Sequence, residues 1–222
     1  MRIARLVLKA AGVVSAMLGV VAASAQAPHT HQHRFDDAHK WSQIFDDPSR
    51  DTWQKPHEVI QALALKPNAV IADIGAGTGY FAVRFAHMVA KGRVYAVDTE
   101  PAMVQHVAER AKHLGIGNLT ALRASPQNPG LPEKVDLIVF VDVYHHVEQR
   151  DAYLRRLRDA LKPGGRVAII DFRMDSPVGP PRSARIAPAQ VKSELERAGY
   201  RLAQEHDFLP NQYFLVFTPG KS

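Results

Sequence analysis

Residues 70–81 constrain the fold of this chain more than any other segment. They read VIADIGAGTGYF, an apolar run containing Asp73, then Gly75, Gly77 and Gly79, then the start of an amphipathic segment. A short apolar run bounded by glycines is typical of a buried strand, and glycines let backbone approach a ligand closely because they lack a Cβ atom. The first N–H groups of the following helix are also free to face that ligand. The segment therefore predicts a strand, a tight turn and a helix that together bind a small molecule.

The glycine spacing separates two classes of nucleotide site. A dinucleotide-binding turn has the pattern G-x-G-x-x-G, which would place its third glycine at Tyr80. The chain instead has D-x-G-x-G-x-G from Asp73 to Gly79. A nicotinamide-dependent oxidoreductase is therefore an alternative that the spacing disfavours. A single glycine-rich turn is weak evidence, so the segments that follow carry as much weight as the turn.

Three later segments occur in an order that fits such a site. Residues 93–98 form a second apolar run ending at Asp98, whose carboxylate can accept hydrogen bonds from both hydroxyls of a ribose. Residues 135–146 begin as a continuous apolar run, as expected of a strand buried on both faces, and open into a polar cluster. Residues 161–165 read LKPGG, and we expect this Pro-Gly-Gly to end a helix before a further strand.

With these segments the chain resembles the class I S-adenosylmethionine (SAM) methyltransferases, whose motif I matches DIGAGTG and whose later motif matches LKPGG. The resemblance covers about residues 53–218. It implies that SAM is the cofactor and that the glycines pack against its methionine part, so no third phosphate-binding glycine is needed. The implied cofactor contacts are Asp73, Gly75, Gly77, Gly79, Asp98, Ser125 and Asp142. Many members carry an acid after strand three that binds the adenine amino group; here Ser125 stands in that segment and offers a weaker hydroxyl.

The whole chain alternates strand and helix signals, which predicts an α/β fold with a mostly parallel sheet and helices on both faces. The resemblance implies the Rossmann-like methyltransferase fold, with seven strands and a C-terminal antiparallel hairpin. The predicted strands are 70–73, 93–98, 119–123, 135–141, 165–172, 200–208 and 212–218, and the predicted helices are 57–65, 80–89, 101–114, 151–161 and 188–198. Leu209-Pro210-Asn211 has the composition of the hairpin turn.

Residues 1–27 have the pattern of a secretory signal peptide. A basic start at 2–9 precedes an apolar stretch at 10–23, and 25–27 read AQA, an A-x-A cleavage site. We expect cleavage after Ala27 and export to the periplasm or beyond. The stretch is shorter than the ~20 residues of a spanning helix, so an uncleaved membrane anchor is the less favoured alternative. Because SAM is made in the cytosol, an exported enzyme would need a supply of it outside.

The rest of the chain divides into a polar, histidine-rich tail with a lid segment at 28–55 and a methyltransferase domain at 56–222. We expect short helical pieces at 41–53 that lie across the cofactor site. His29, His31 and His33 alternate in the tail, and alternating imidazoles can bind Zn²⁺ or Cu²⁺. A flexible tail without a fixed fourth ligand binds metal weakly, so we assign no metal site.

Charge and cysteine content exclude some functions. The formal charge is +6, and Arg2, Arg5 and Lys9 contribute to it from the signal segment. The remaining positive charge is scattered, which argues against a nucleic-acid partner. Arg150, Arg155, Arg156 and Arg158 predict a solvated helix face, with anionic lipid as the alternative contact. The chain has no cysteine, so disulfides and thiol chemistry are excluded.

The candidate catalytic residues follow strand four, beyond the carboxyl end of the sheet, where open α/β folds bind ligands. His145 and His146 are candidate general bases because imidazole titrates near neutral pH. Tyr144 is a candidate acceptor contact, and Asp142 a candidate to orient the cofactor or its loop. The alternative is that these side chains only pack or bind backbone, since methyl transfer can proceed by alignment of donor and acceptor alone.

The sequence thus predicts a SAM-dependent methyltransferase that moves a methyl group to a small-molecule or lipid-like acceptor by in-line displacement. Trp41, Phe45, Trp53 and Tyr144 are candidates to line an apolar acceptor pocket. We expect membrane contact only through the signal segment. A non-catalytic module that binds SAM or S-adenosylhomocysteine is the main alternative, and the nicotinamide oxidoreductase is the weaker one.

Overall fold

The structure is a computed structural model, and it describes residues 37–220. The predicted signal peptide, its cleavage site and the alternating histidines His29, His31 and His33 lie outside the described residues. Within residues 37–220 no helix is both long and apolar enough to cross a membrane. In the same part of the chain, no group of three or more histidine, aspartate or glutamate side chains is arranged to hold a metal ion.

The seven predicted strands form one sheet in the order β3-β2-β1-β4-β5-β7-β6. The strands are β1 Val70–Ile74, β2 Arg93–Asp98, β3 Leu119–Arg123, β4 Val135–Val141, β5 Leu161–Phe172, β6 Tyr200–His206 and β7 Gln212–Pro219. Only β7 runs antiparallel to its neighbours β5 and β6 within this sheet. The predicted α/β fold with a C-terminal antiparallel hairpin is confirmed. Strand order reverses between β1 and β4, which is where open α/β sheets bind ligands.

Seven α-helices accompany the sheet in the described part of the chain. They are α1 Ala38–Phe45, α2 Arg50–Gln54, α3 Pro56–Ala62, α4 Tyr80–Met88, α5 Pro101–His113, α6 Arg150–Asp159 and α7 Pro188–Arg197. The strands bury both faces, and each face has its own hydrophobic cluster. One cluster includes Val59 of α3, Phe85 of α4 and Val107 of α5. The other includes Leu154 of α6 and Leu195 of α7, so helices cover both sides as predicted.

Strand β5 begins earlier than the sequence indicates. Leu161 already pairs with Val135 of β4, and after a register shift Arg166 pairs with Leu137. The predicted stop at Pro-Gly-Gly is therefore an irregularity inside the strand, with Gly164 in the left-handed region at φ +78°. The preceding helix α6 ends at Asp159, before this motif. The prediction that 151–161 is helical and that the strand starts at Gly165 is wrong at this junction.

Candidate active site

The turn between β1 and α4 is built from glycines in a left-handed conformation. Gly75, Gly77 and Gly79 have φ values of +69°, +53° and +83°, which residues with a Cβ atom rarely adopt. A Cβ atom on Gly75 would lie 2.2 Å from Cγ2 of Val143, so that position also lacks room. The backbone N–H of Gly75 donates to the Val97 carbonyl of β2 at 2.8 Å. This fixes the turn at the carboxyl ends of β1 and β2.

Two carboxyl groups flank the turn, one of them buried and the other half-buried. Asp98 accepts from the backbone N–H of Gly77 at 2.8 Å and of Glu100 at 3.0 Å, and its burial raises the pKa of its carboxyl. The residue Asp73 is 3% exposed, and burial together with the charge of Asp98 raises the pKa of Asp73 to about 7. Two carboxyl groups whose charges interact in this way favour a cationic ligand, because a nearby positive charge stabilises their ionised form.

Asp142 leaves the end of β4 with a φ of +59°. Its carboxylate accepts from Nη2 of Arg50 at 3.2 Å and from Nε2 of Gln54 at 2.9 Å, and also from the amide of Gln212. Burial raises the pKa of Asp142 to about 6, although the positive charge of Arg50 acts in the opposite direction. These contacts tie α2, β4 and β7 together, so Asp142 positions the end of β4.

The segment 37–54, here called the N-terminal segment, lies against the glycine turn. Asp46 accepts from the hydroxyl of Thr78 at 3.1 Å and from Nη1 of Arg110 at 2.9 and 3.0 Å. A Cβ atom on Gly77 would lie 3.6 Å from the ring of Phe45. The predicted helical pieces are thus present as α1 and α2, and they contact the predicted cofactor turn.

A second acid of the N-terminal segment holds the start of α4. Asp51 accepts from the hydroxyl of Tyr80 and from Nη2 of Arg84. The guanidinium groups of Arg50 and Arg84 lie 4.2 and 3.9 Å from the centre of the Tyr80 ring, within the range of cation–π attraction. Sequence reasoning missed these partners. The local sequence here offers only two acid pairs, Asp36-Asp37 and Asp46-Asp47, and neither includes Asp51.

His145 is held by a carboxylate that the sequence did not single out. Nδ1 of its ring lies 2.9 and 3.0 Å from the two carboxylate oxygens of Asp171, at the end of β5. Its backbone N–H donates to the same group at 3.1 Å. The His145 and Asp171 side chains are 4% and 3% exposed. The neighbouring His146 is exposed, with its ring centre 4.2 Å from that of His145.

Tyr144 lies in the hydrophobic core. Its side chain is fully buried in the cluster under α6 and α7. The hydroxyl donates to Oε2 of Glu194 at 2.7 Å, and Nε of Arg150 donates to the same oxygen at 2.8 Å. Tyr144 belongs to a turn of 3₁₀ helix at 144–146, and its contact with an acceptor stays a prediction. Arg150, predicted to lie on a solvated helix face, is instead paired with Glu194 and is 26% exposed.

The remaining candidates have separate surroundings. Trp41 stacks on Phe45 with ring centres 5.2 Å apart, and Trp53 packs 5.9 Å from the ring of Phe172. Ser125 is exposed, with its hydroxyl 3.4 Å from the Asn128 carbonyl. The backbone N–H of Ala124 donates to the backbone carbonyl of Asp98, which keeps this segment beside Asp98. A role for Ser125 at the adenine therefore stays a prediction.

Known proteins match this chain over the strands and helices that form the site. A family model described as a methyltransferase domain matches residues 72–167, which run from β1 through the turn to β5. A SAM-dependent methyltransferase from Aquifex aeolicus is 28% identical, with a TM-score of 0.75 over 82% of this chain and 97% of that one. These matches support a class I SAM-dependent methyltransferase.

Curated relatives of this methyltransferase share its central part. The ubiquinone/menaquinone biosynthesis C-methyltransferase UbiE of Shewanella woodyi is 28% identical over 116 residues, which are 51% of this chain and 46% of that protein. The UbiE protein of Edwardsiella ictaluri is 33% identical over 105 residues, 46% of this chain and 42% of that protein. The chain thus spans about half the length of the curated relatives it matches.

The residues present fit the SAM that the family implies. This cofactor carries an ammonium and a sulfonium group, and the carboxyls of Asp73 and Asp98 provide negative charge at the turn. Gly75, Gly77 and Gly79 keep side chains away from that region. Asp98 would accept from the ribose hydroxyls, since two of its bonds already come from backbone N–H groups that orient it.

Proposed function

We propose that this methyltransferase moves the methyl group of SAM to a small-molecule acceptor. The observation that carries the proposal is the pair of carboxyls, buried Asp73 and half-buried Asp98, on either side of a turn with three left-handed glycines. A pair of interacting like charges is unfavourable without a cationic ligand. SAM satisfies both groups, and when bound it supplies a methyl group already activated by the sulfonium.

The protein's own residues then act mainly by alignment. The glycine turn, Asp73 and Asp98 hold the donor, and the end of β4 faces the acceptor. Arg50, Gln54 and Gln212 fix Asp142, and this keeps the β4 end in one position relative to the turn. Holding donor and acceptor in line is itself a large part of catalysis in a displacement of this kind.

We propose an apolar, ring-containing acceptor. The relatives' names refer to ubiquinone and menaquinone biosynthesis, which supports this class without naming the compound. The N-terminal segment brings the aromatic side chains Trp41, Phe45 and Trp53 to the side of the molecule that carries the glycine turn. Such side chains bind flat apolar rings through their large contact area.

Calorimetric titration of the full-length protein with SAM, S-adenosylhomocysteine and NAD tests the cofactor. We expect micromolar-range binding of the first two, no binding of NAD, and loss of both in Asp98→Ala. Asp159→Asn, an exposed change on α6, is the control and leaves binding intact. NAD binding in place of SAM would contradict the proposal. Transfer of label from methyl-labelled SAM to quinol acceptors separates an enzyme from a module that only binds.

We also propose that the protein is exported through residues 1–27, on the basis of their signal-peptide pattern. N-terminal sequencing of the protein from a cell fraction outside the cytosol should then begin at Pro28. A full-length protein that begins at Met1 and stays in the cytosolic fraction would contradict export.

A further inference from the structure

The His145–Asp171 pair is a buried histidine–carboxylate arrangement at the acceptor end of the sheet. Asp171 accepts from three donors: Nδ1 of His145 at 2.9 Å, the His145 backbone N–H at 3.1 Å and the Phe172 backbone N–H at 2.8 Å. Two backbone donors aimed at one carboxyl group orient it as an acceptor. This arrangement fixes both the position and the rotation of the imidazole ring.

The contact also determines which ring nitrogen carries the proton. A carboxylate can only accept, so the neutral imidazole bonded to Asp171 holds its hydrogen on Nδ1 and presents a lone pair on Nε2. Within residues 37–220 the Nε2 atom of His145 has no hydrogen-bond partner. His145 thus has a free basic nitrogen with a fixed orientation.

A second polar group lies on the same face of the sheet. Tyr213 of β7 pairs directly with Asp171 of β5, and directly paired residues point to the same side. The residue is 4% exposed, and its hydroxyl has no hydrogen-bond partner among the described residues. Burial raises the pKa of Tyr213, so the group stays protonated and can donate. A buried hydroxyl without a partner is costly unless a ligand oxygen accepts from it.

We infer that this constellation takes an acceptor with a weakly acidic hydroxyl, a phenol or an enol, and that His145 Nε2 removes its proton. The inference rests on the proposed methyl transfer and specifies its acceptor. The acceptor O–H bond breaks and its proton moves to Nε2. The electron pair left on the acceptor oxygen, or on the ring carbon conjugated with it, forms the new bond to the methyl carbon while the S–CH₃ bond breaks. In the carbon case the ring C–H proton is lost afterwards to solvent.

Acid strength selects this class of acceptor. Imidazole has a pKa of about 6.5 and a phenol of about 10, so a positioned imidazole can take a phenolic proton in the transition state. An aliphatic alcohol is about as weak an acid as water, with a pKa near ~15.7, and is beyond its reach. A neutral amine needs no base, because its lone pair is already available. Asp171 acts here as a positioning residue that holds the ring.

The polar and titratable groups around the His145 ring come from four places. Asp171 lies on β5, Asp142 at the end of β4, Tyr213 on β7 and His146 beside His145. Asp142 and Asp171 are the acidic members of this group. Arg50, bound to Asp142, partly offsets that charge.

The test uses 4-nitrophenol, whose phenolate absorbs visible light, added to the full-length protein saturated with S-adenosylhomocysteine. At a pH roughly one unit below that of half-ionisation, binding to a basic site should raise the phenolate signal. We expect the wild type to show this rise in phenolate absorbance and His145→Gln to lose it. Asp171→Asn should lower the rise about tenfold, and Asp171→Glu should recover part of it. His113→Gln, an exposed histidine at the end of α5, should match the wild type.

The outcomes separate the two proposals. Binding of S-adenosylhomocysteine without any phenolate signal in the wild type, or an unchanged signal in His145→Gln, would overturn the inference and leave the cofactor site standing. Failure to bind S-adenosylhomocysteine would overturn the methyltransferase proposal itself. Nitrogen NMR of the imidazoles gives an independent check: His145 should carry its proton on Nδ1, and a proton on Nε2 would reject the arrangement.

Discussion

Arg50 on α2 holds the carboxylate of Asp142 at the end of β4, with Nη2 of the arginine 3.2 Å from Oδ2 of the aspartate. The two side chains are 13% and 18% exposed, so the pair is largely shielded from water. The N-terminal segment is therefore joined to the carboxyl end of the sheet by a buried charge pair. Removing one partner of such a pair leaves an uncompensated charge.

Arg50→Met should destabilise the protein, and more at pH 8 than at pH 5. The pKa of Asp142 is raised to about 6 even with Arg50 present, so at pH 8 the variant must bury an unpaired carboxylate. At pH 5 the Asp142 carboxyl is protonated, so the loss in the free energy of unfolding is smaller. We expect a loss of about 3 kcal/mol at pH 8, measured by urea unfolding.

Arg84→Met is the matched control for that variant. Arg84 pairs with Asp51 at the surface, and their side chains are 32% and 52% exposed. Arg84→Met should lower the free energy of unfolding by less than about 1 kcal/mol at both pH values. Equal losses in the two variants, or a larger loss for Arg50→Met at pH 5 than at pH 8, would show that the Arg50–Asp142 pair does not behave as buried.

Asp73 should make the stability of the ligand-free protein fall with rising pH. Its carboxyl has a pKa of about 7 in the folded protein, against an ordinary value of 3.8. Between these values the folded state binds the extra proton, so this group's stabilising contribution is present at low pH and is lost as pH rises through 7. The slope is about 1.4 kcal/mol per pH unit at most.

Urea unfolding of the wild type and of Asp73→Asn between pH 5 and pH 8 measures this contribution. The variant should be less sensitive to pH than the wild type over that interval, and SAM should stabilise the wild type more at pH 8 than at pH 6. Parallel pH profiles for the two proteins would refute the raised pKa of Asp73.

Local patterns predicted the positions of most strands. Apolar runs that end in an acid or a glycine marked β1, β2 and β4 within a residue, because burial on both faces leaves a continuous signal in the sequence. The junction before β5 was missed because Pro-Gly-Gly usually ends an element, whereas here Leu161 already pairs with Val135. Pairing partners on another strand are not visible in a local pattern.

For the same reason, only the local part of the candidate site could be predicted from the sequence. The glycine turn is local, and its left-handed backbone follows from its residue types. By contrast, Asp171 is separated from His145 by a helix and most of a strand, and the direction of Tyr144 depends on one turn of 3₁₀ helix. Contacts between distant segments depend on the completed fold, and the sequence indicated only that polar residues gather after β4.

Gly75→Ala should damage the turn through steric overlap as well as backbone strain. Its Cβ atom would lie 2.2 Å from Val143, at a φ of +69°. Gly115 has nearly the same φ, +66°, with nothing within 4 Å of its added Cβ, so Gly115→Ala isolates the strain. In urea unfolding we expect the free energy of unfolding to fall by about 1 kcal/mol in Gly115→Ala and by about 3 kcal/mol or more in Gly75→Ala. SAM binding should be lost only in Gly75→Ala. Similar losses for both would mean that Val143 moves aside.

Arg110→Met should loosen α1 from the cofactor turn. Nη1 of Arg110 binds both carboxylate oxygens of Asp46 at 2.9 and 3.0 Å and the Thr78 carbonyl at 3.0 Å. Since the pair is partly exposed, a double-mutant cycle with Asp46→Asn should give a coupling free energy of about 1 kcal/mol. Hydrogen exchange should be faster for the amides of α1 and unchanged for those of α7. The same cycle on the exposed pair Lys192–Glu205 should leave α1 exchange unaltered. Slow exchange in α1 of Arg110→Met would instead mean that packing of Phe45 against the turn is sufficient to hold the N-terminal segment.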